Sequence, residues 1–211
     1  ILEHQEKELE ALWAESAREP LEGLTVDEDS KGRSAMQKII KIGHRCACKS
    51  PLQKSLAEYC QLRNIKKLKM VKRVPTCWNT MYNVVDRALK LRKAIHSLTL
   101  SPTHNVGPPT KRLKRYNLSD EEWHILESLR PLLKVFISAL LHDATTRISS
   151  SKYPMLHEVI PIIDVLNKKL EEAVANNALP LVVRRGVQWA IMVLDKYYSR
   201  TDESIMWKTA M

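Results

Sequence analysis

Residues 74–95 read Val-Pro-Thr-Cys-Trp-Asn-Thr-Met-Tyr-Asn-Val-Val-Asp-Arg-Ala-Leu-Lys-Leu-Arg-Lys-Ala-Ile. Pro75 cannot donate a backbone hydrogen bond, so it stops the segment before it, and Thr76 is a good N-cap for the segment after it. The spacing predicts a basic helix over 77–98, with Val84, Val85, Leu89 and Leu91 turned inward. Trp78 falls in its first turn, just after the cationic run Lys66, Lys67, Lys69, Lys72 and Arg73. A flat aromatic face beside fixed positive charge suits an unstacked base with its phosphates nearby.

Outward from this stretch the same periodicity recurs. Met36, Ile39, Ile40 and Ile42 begin a helix that Gly43 is expected to end. Ser50-Pro51 reads as an N-cap with proline at the first helical position, followed by Leu52, Leu56, Tyr59 and Leu62 on one face and a stop near Asn64. Residues 101–116, rich in proline and basic residues, read as an exposed loop. Ser119-Asp120-Glu121-Glu122 is a capping box leading into Trp123, Leu126, Leu129, Leu133 and Phe136, with Pro131 expected to kink or split the helix. Tyr153-Pro154 opens another helix, to about Asn176-Asn177 with a kink at Pro161, and Pro180 starts the next, through Val183, Val187, Ile191 and Leu194 to Tyr198. One more begins at Ser204. At the other end, Leu2, Leu9, Leu12 and Trp13 predict an acidic helix over 2–17, and Pro20 with residues 23–32 reads as a flexible acidic linker.

No strand period and no internal repeat emerges, and 5 Gly and 1 Phe in 211 residues favour helices over sheets. The expected fold is all-α, an irregular antiparallel helical bundle. Its parts are an acidic helix and linker over 1–34 and a helical domain over 35–211 with an exposed basic loop at 99–117. The start at Ile1 and the end at Met211, inside an amphipathic segment, suggest a fragment.

The net charge of +10 is unevenly spread. Residues 1–30 hold ten acidic and two basic residues, which leaves 32 Lys/Arg against 14 Asp/Glu in 31–211. That excess is the footprint of a polyanion partner, nucleic acid first, with a well-solvated helical surface as the alternative. Cys46, Cys48, Cys60 and Cys77 do not form a disulfide framework, so a reduced intracellular compartment is expected. The apolar run from Val135 to Leu141 is too short to span a bilayer, and no membrane partner is expected. His44-x-Cys46-x-Cys48 lacks both zinc-type spacing and a second ligand pair, so no metal is assigned to it. No Ser-His-Asp, glycine-rich phosphate loop or dinucleotide motif occurs.

The stretch at 75–82 resembles the hAT superfamily of DNA transposases (hobo, Activator), whose pattern there is close to Pro-Thr-Arg-Trp-Asn-Ser-Thr-Tyr. Four further blocks follow in family order: residues 86–95, 118–123, 152–161 and 195–202. Together they cover about 36–207, most like the copies common in fungal genomes. The resemblance implies that this chain is the helical region inserted into an RNase H-like catalytic domain. The three carboxylates that hold divalent metal ions for strand transfer would flank it, two before and one after. The family's Cys-x-x-His pair, BED-type zinc finger and C-terminal dimerisation segment would likewise lie outside, so any oligomerisation belongs to the full-length protein. The expectation is therefore a nuclear, DNA-binding part of a transposase-like protein, with no enzyme activity and no cofactor of its own.

The resemblance implies that Trp78 stacks on a base displaced from the duplex, with Thr76 and Asn79 beside it. The alternative is a core anchor at a helix start. Cys77 stands where the family has Arg, and a thiol cannot pair with phosphate. The candidate phosphate contacts are Lys72, Arg73, Arg87 and Lys90, with Lys111, Arg112, Lys114 and Arg115 of the basic loop, which also has the form of a nuclear-import segment. Three rival readings are a protein-interaction module derived from a transposase, anchored by Trp123, Trp189 and Trp207, an active nuclease or transposase completed by acids from outside this chain, and a decayed copy without function.

Overall fold

The computed structural model describes residues 26–74, 79–137 and 156–202, and in them the fold is all-α. The helices are α1 (Val26–Cys48), α2 (Ser50–Leu62), α3 (Asn79–Lys90), α4 (Arg92–Leu100), α5 (Asp120–Ile137), α6 (Leu156–Ala175) and α7 (Leu181–Asp202). The helices expected over 2–17 and from Ser204, and the side chain of Phe136, lie outside the described residues. The body expected as one domain over 35–211 divides into two compact units, the first spanning Ser30–Leu133 and the second containing α6 and α7.

In the first unit, α1 presents Ala35, Ile39, Ile42 and Cys46 to the core at helical spacing. They meet Leu52, Leu56 and Cys60 of α2, Val84, Val85 and Ala88 of α3, Leu91 at the α3–α4 joint and Ala94, Ile95 and Leu98 of α4. Trp123 and Leu126 of α5, with Met70, Leu113, Tyr116 and Leu118 from the segments between the α-helices, complete the cluster. Two expectations for α1 are corrected. The linker placed over 23–32 is helical from Val26, and the helix continues past Gly43 to Cys48. Gly43 is a packing residue: a Cβ there would stand 2.6 Å from the backbone oxygen of Val71.

Lys49, not Ser50, occupies the N-cap of α2, which puts Pro51 one position further in. The other end matches expectation. Asn64 takes the left-handed conformation at φ 53°, while its N–H donates to the Gln61 carbonyl and that of Ile65 to the Cys60 carbonyl. This is a Schellman closure with asparagine in place of glycine.

The helix expected over 77–98 is divided at Leu91 into α3 and α4, although the N–H of Leu91 still donates to the carbonyl of Arg87 and that of Ile95 to Leu91. The capping box of α5 forms as predicted: the Ser119 N–H donates to Glu122 Oε2 at 2.9 Å and the Glu122 N–H to Ser119 Oγ at 3.2 Å. Lys38 of α1 donates to both oxygens of the same buried carboxylate at 2.7 Å, tying α1 to the start of α5. Helix α5 runs through Pro131 without dividing there, and α6 runs through Pro161.

Among the described residues of the second unit, α6 and α7 form a helical hairpin. Leu166, Leu170 and Ala173 of α6 pack with Val183 and Val187 of α7. The turn is held by the Ala178 N–H on Asn176 Oδ1 and by Arg184 Nε on the Val174 carbonyl. No helix among the described residues is long and apolar enough to cross a membrane.

Candidate nucleic-acid interface

Residues 65–74, which link α2 to the start of the 74–82 motif, form no helix. They lie as a strap whose side chains sort by polarity. Ile65, Leu68, Met70 and Val71 pack on the core cluster, whereas Lys66, Lys67, Lys69, Lys72 and Arg73 face solvent. The apolar residues thus fix the path of the strap, and the cations are what it displays.

Three residues outside the strap, Gly43, Arg87 and Thr80, hold its backbone. The Val71 carbonyl sits against Gly43. Arg87 Nη1 of α3 donates to the Lys69 carbonyl at 2.6 Å. The Thr80 hydroxyl donates to the Val74 carbonyl at 3.0 Å. Arg87, expected as a phosphate contact, is thereby engaged in positioning the strap. Lys90 is paired with Asp86 one turn earlier at 2.6 Å, and Arg130 approaches the same carboxylate at 3.9 Å. Lys66, Lys67, Lys69, Lys72 and Arg73 meet no acidic side chain among the described residues.

The basic loop is more ordered than its composition suggests. Residues 102–104, 109–111 and 113–116 form 3-10 turns, and Leu113 and Tyr116 are buried. Asn105 organises the loop by donating to the Thr99 and Ser101 carbonyls and accepting from the Lys114 N–H. Arg45 of α1 reaches the Lys111 carbonyl and lies 4.8 Å from the Tyr116 ring, which Arg115 also covers. Arg112 and Arg115 donate to the carbonyls of Gly107 and Thr110. Lys111 and Lys114 remain as solvent-facing charges without an acidic partner among the described residues. A linear import signal must be free to extend, and Leu113 and Tyr116 would have to leave the core for that. The geometry therefore favours a folded patch.

The strap and the loop flank opposite sides of the core stripe of α1. Gly43, under the strap, and Arg45, under the loop, are two residues and so roughly 200° apart around the helix. They present two cationic tracks rather than one.

Trp78 and Thr76 lie outside the described residues, as does Cys77, and of Asn79 only the backbone is described, as the first residue of α3. Sequence reasoning missed Arg45 and Arg92. Arg92 donates to Asp120 at 2.8 Å and Glu127 at 3.0 Å and lies 5.4 Å from the Trp123 ring. Trp123 itself is 2% exposed, so it is a core residue and not the surface anchor an interaction module would use. Trp189 is half-buried on α7, and Trp207 lies outside the described residues. Cys46 is buried and its thiol pushed up to about 11 by desolvation, while Cys48 is exposed with its Sγ 3.7 Å from His44 Nε2. No group of three metal-ligating side chains occurs among the described residues.

No family model and no solved structure matches the chain. It is similar to a human protein named zinc finger BED domain-containing protein 4, with 24% identity over 152 residues. The match covers 70% of this chain and 12% of that protein. The relative is human, where the sequence pattern pointed to fungal copies.

Proposed function

We propose that this chain is the DNA-holding helical part of an hAT-type, transposase-like nuclear protein, in which cationic tracks grip phosphates beside a stacking tryptophan, Trp78. The similarity to a protein named for a BED zinc finger supports a transposase-derived, DNA-binding origin, because the hAT pattern includes a finger of that type. The observation that carries the reading is the strap. Its five cations face solvent, its backbone is pinned to α1 and α3, and it runs directly into the 74–82 motif. Such contacts set affinity and register, and base identity is left to other groups. In this reading strand transfer belongs to carboxylates and metal ions of a longer parent, and the present residues do no chemistry alone.

The test is fluorescence anisotropy with a hairpin DNA across a salt series. Five to seven neutralised phosphates predict a log–log slope of magnitude about 4 to 6. Replacing Lys66, Lys67 and Lys69 together with Gln should flatten that slope by about 2 to 3. Trp78→Ala should weaken hairpin binding more than binding to a fully paired duplex, and Cys77→Arg should strengthen it. Salt-independent binding, or none at low salt, defeats the reading.

A further inference from the structure

Two leucines of the first unit point away from its core. Leu62 is the last residue of α2 and is 75% exposed; Leu100 is the last residue of α4 and is 43% exposed. Each stands two positions beyond the final buried apolar residue of its helix, Cys60 and Leu98, and so on the opposite side from the apolar core stripe. They are not frayed core residues. Both line one hollow, together with Tyr59, Arg63 and His96. A second hollow, of about 740 Å³, shares Leu62, Arg63 and His96 and adds Lys93. Arg63 is oriented by a 3.2 Å hydrogen bond from its Nε to Ser97 Oγ. Neither Arg63 nor Lys93 meets an acidic side chain among the described residues. Asp120, on the far wall, is already held by Arg92.

We propose that this groove is a docking site for an acidic amphipathic helix of a partner protein, with its apolar stripe on Leu62 and Leu100 and its carboxylates toward Arg63 and Lys93. Charge complementarity selects that occupant. A nucleic acid would satisfy the cations but leave both leucines wet. A second copy of this chain, paired through the same face, would bring together two faces that each carry Arg63 and Lys93. An apolar stripe flanked by glutamates answers both features, in the helix-in-groove manner.

The experiment measures binding of a fluorescein-labelled, leucine-striped, glutamate-rich helical peptide, its glutamine twin and a hairpin DNA to the whole chain. The acidic peptide should bind with Kd on the order of 10 µM, and the glutamine twin at least about tenfold more weakly. Leu62→Ala with Leu100→Ala should weaken the peptide about tenfold and leave hairpin affinity unchanged. Arg63→Gln with Lys93→Gln should weaken the peptide by a similar factor. All four side chains lie on the surface, and matching unfolding midpoints establish that the variants fold. Absence of saturable binding up to about 1 mM, equal binding of the glutamine twin, or a loss of hairpin affinity in the leucine pair would each overturn the proposal. The last result would assign the groove to the nucleic-acid path.

Discussion

Gly43→Ala sets two physical effects of opposite sign against each other. On helix propensity alone, alanine in the middle of α1 should stabilise the protein by about 1 kcal/mol. The strap reverses that expectation. The new methyl would lie 2.6 Å from the Val71 backbone oxygen, so the carbonyl must retreat by several tenths of an ångström or more. It has little freedom to do so: Met70 is buried, Arg87 holds the Lys69 carbonyl and Thr80 holds that of Val74. Overpacking against a constrained neighbour costs about 3 kcal/mol at the upper end of its usual range. After the propensity gain, the net loss is about 2 kcal/mol. For a cooperative unit of roughly 100 residues this lowers the midpoint of thermal unfolding by about 10 °C. Gly186, in the second turn of α7, is the control, because a Cβ there meets nothing within 4 Å. Gly186→Ala should stabilise its own unit by up to about 1 kcal/mol. Circular dichroism melts and urea titrations of both variants give the two signs. If Gly43→Ala is as stable as the parent or more so, the strap does not press on α1 and the account of how it is held is wrong.

Three further outcomes follow from the same packing. Glu122→Ala removes the partner of Lys38 and half of the α5 cap, and should cost about 3 kcal/mol in urea unfolding, with Lys38→Met in the same chain recovering part of that loss. Cys46 is held protonated by burial, with its thiol at about 11 against an ordinary 9.0, so its contribution is intact below pH 9. Between pH 9 and 11 the unfolded thiol ionises first, and stability should fall by about 1.4 kcal/mol per pH unit, an increment that Cys46→Ala removes. In the native protein at pH 8, iodoacetamide should label Cys48 and spare Cys46 and Cys60, as read by peptide mass mapping; fast labelling of Cys46 would contradict its burial.

The helices were legible because their signals are local. The capping box at Ser119, the asparagine stop after α2 and the apolar stripes of α7 and of α2 depend on residues three or four apart, and only Leu62, expected on the inner face of α2, turns out to solvent instead. Gly43 was misread for the opposite reason. Its role is set by Val71, 28 positions away, and a lone glycine carries no mark of what approaches it. The loop at 101–116 was read as exposed because prolines and basic residues dominate it, yet two apolar side chains, Leu113 and Tyr116, suffice to anchor it while Asn105 replaces a regular hydrogen-bond ladder. Of the candidate site, the cationic run was visible as composition. That it is an extended strap with apolar residues turned inward required the fold.

Arginine and lysine carry the same charge, but the structure uses them differently. Arg45, Arg87, Arg112 and Arg115 each donate to a backbone carbonyl, and Arg92 spans two carboxylates beside Trp123. A guanidinium has several donors in a planar fork, so it can knit one segment to another at little cost in solvation. The lysines of the strap, and Lys111 and Lys114 of the loop, stay in water. An ammonium group there is a mobile point charge, suited to following a phosphate backbone and unsuited to bidentate recognition of a base edge. The displayed charge is therefore mostly lysine, and the grip proposed for it is electrostatic and tolerant of sequence. Arginine replacements in this group should act first on stability and lysine replacements first on the salt dependence of binding. Arg73 is the exception, a solvent-facing guanidinium at the end of the strap, and the described arginine best placed beside the 74–82 motif to pair two oxygens of one phosphate.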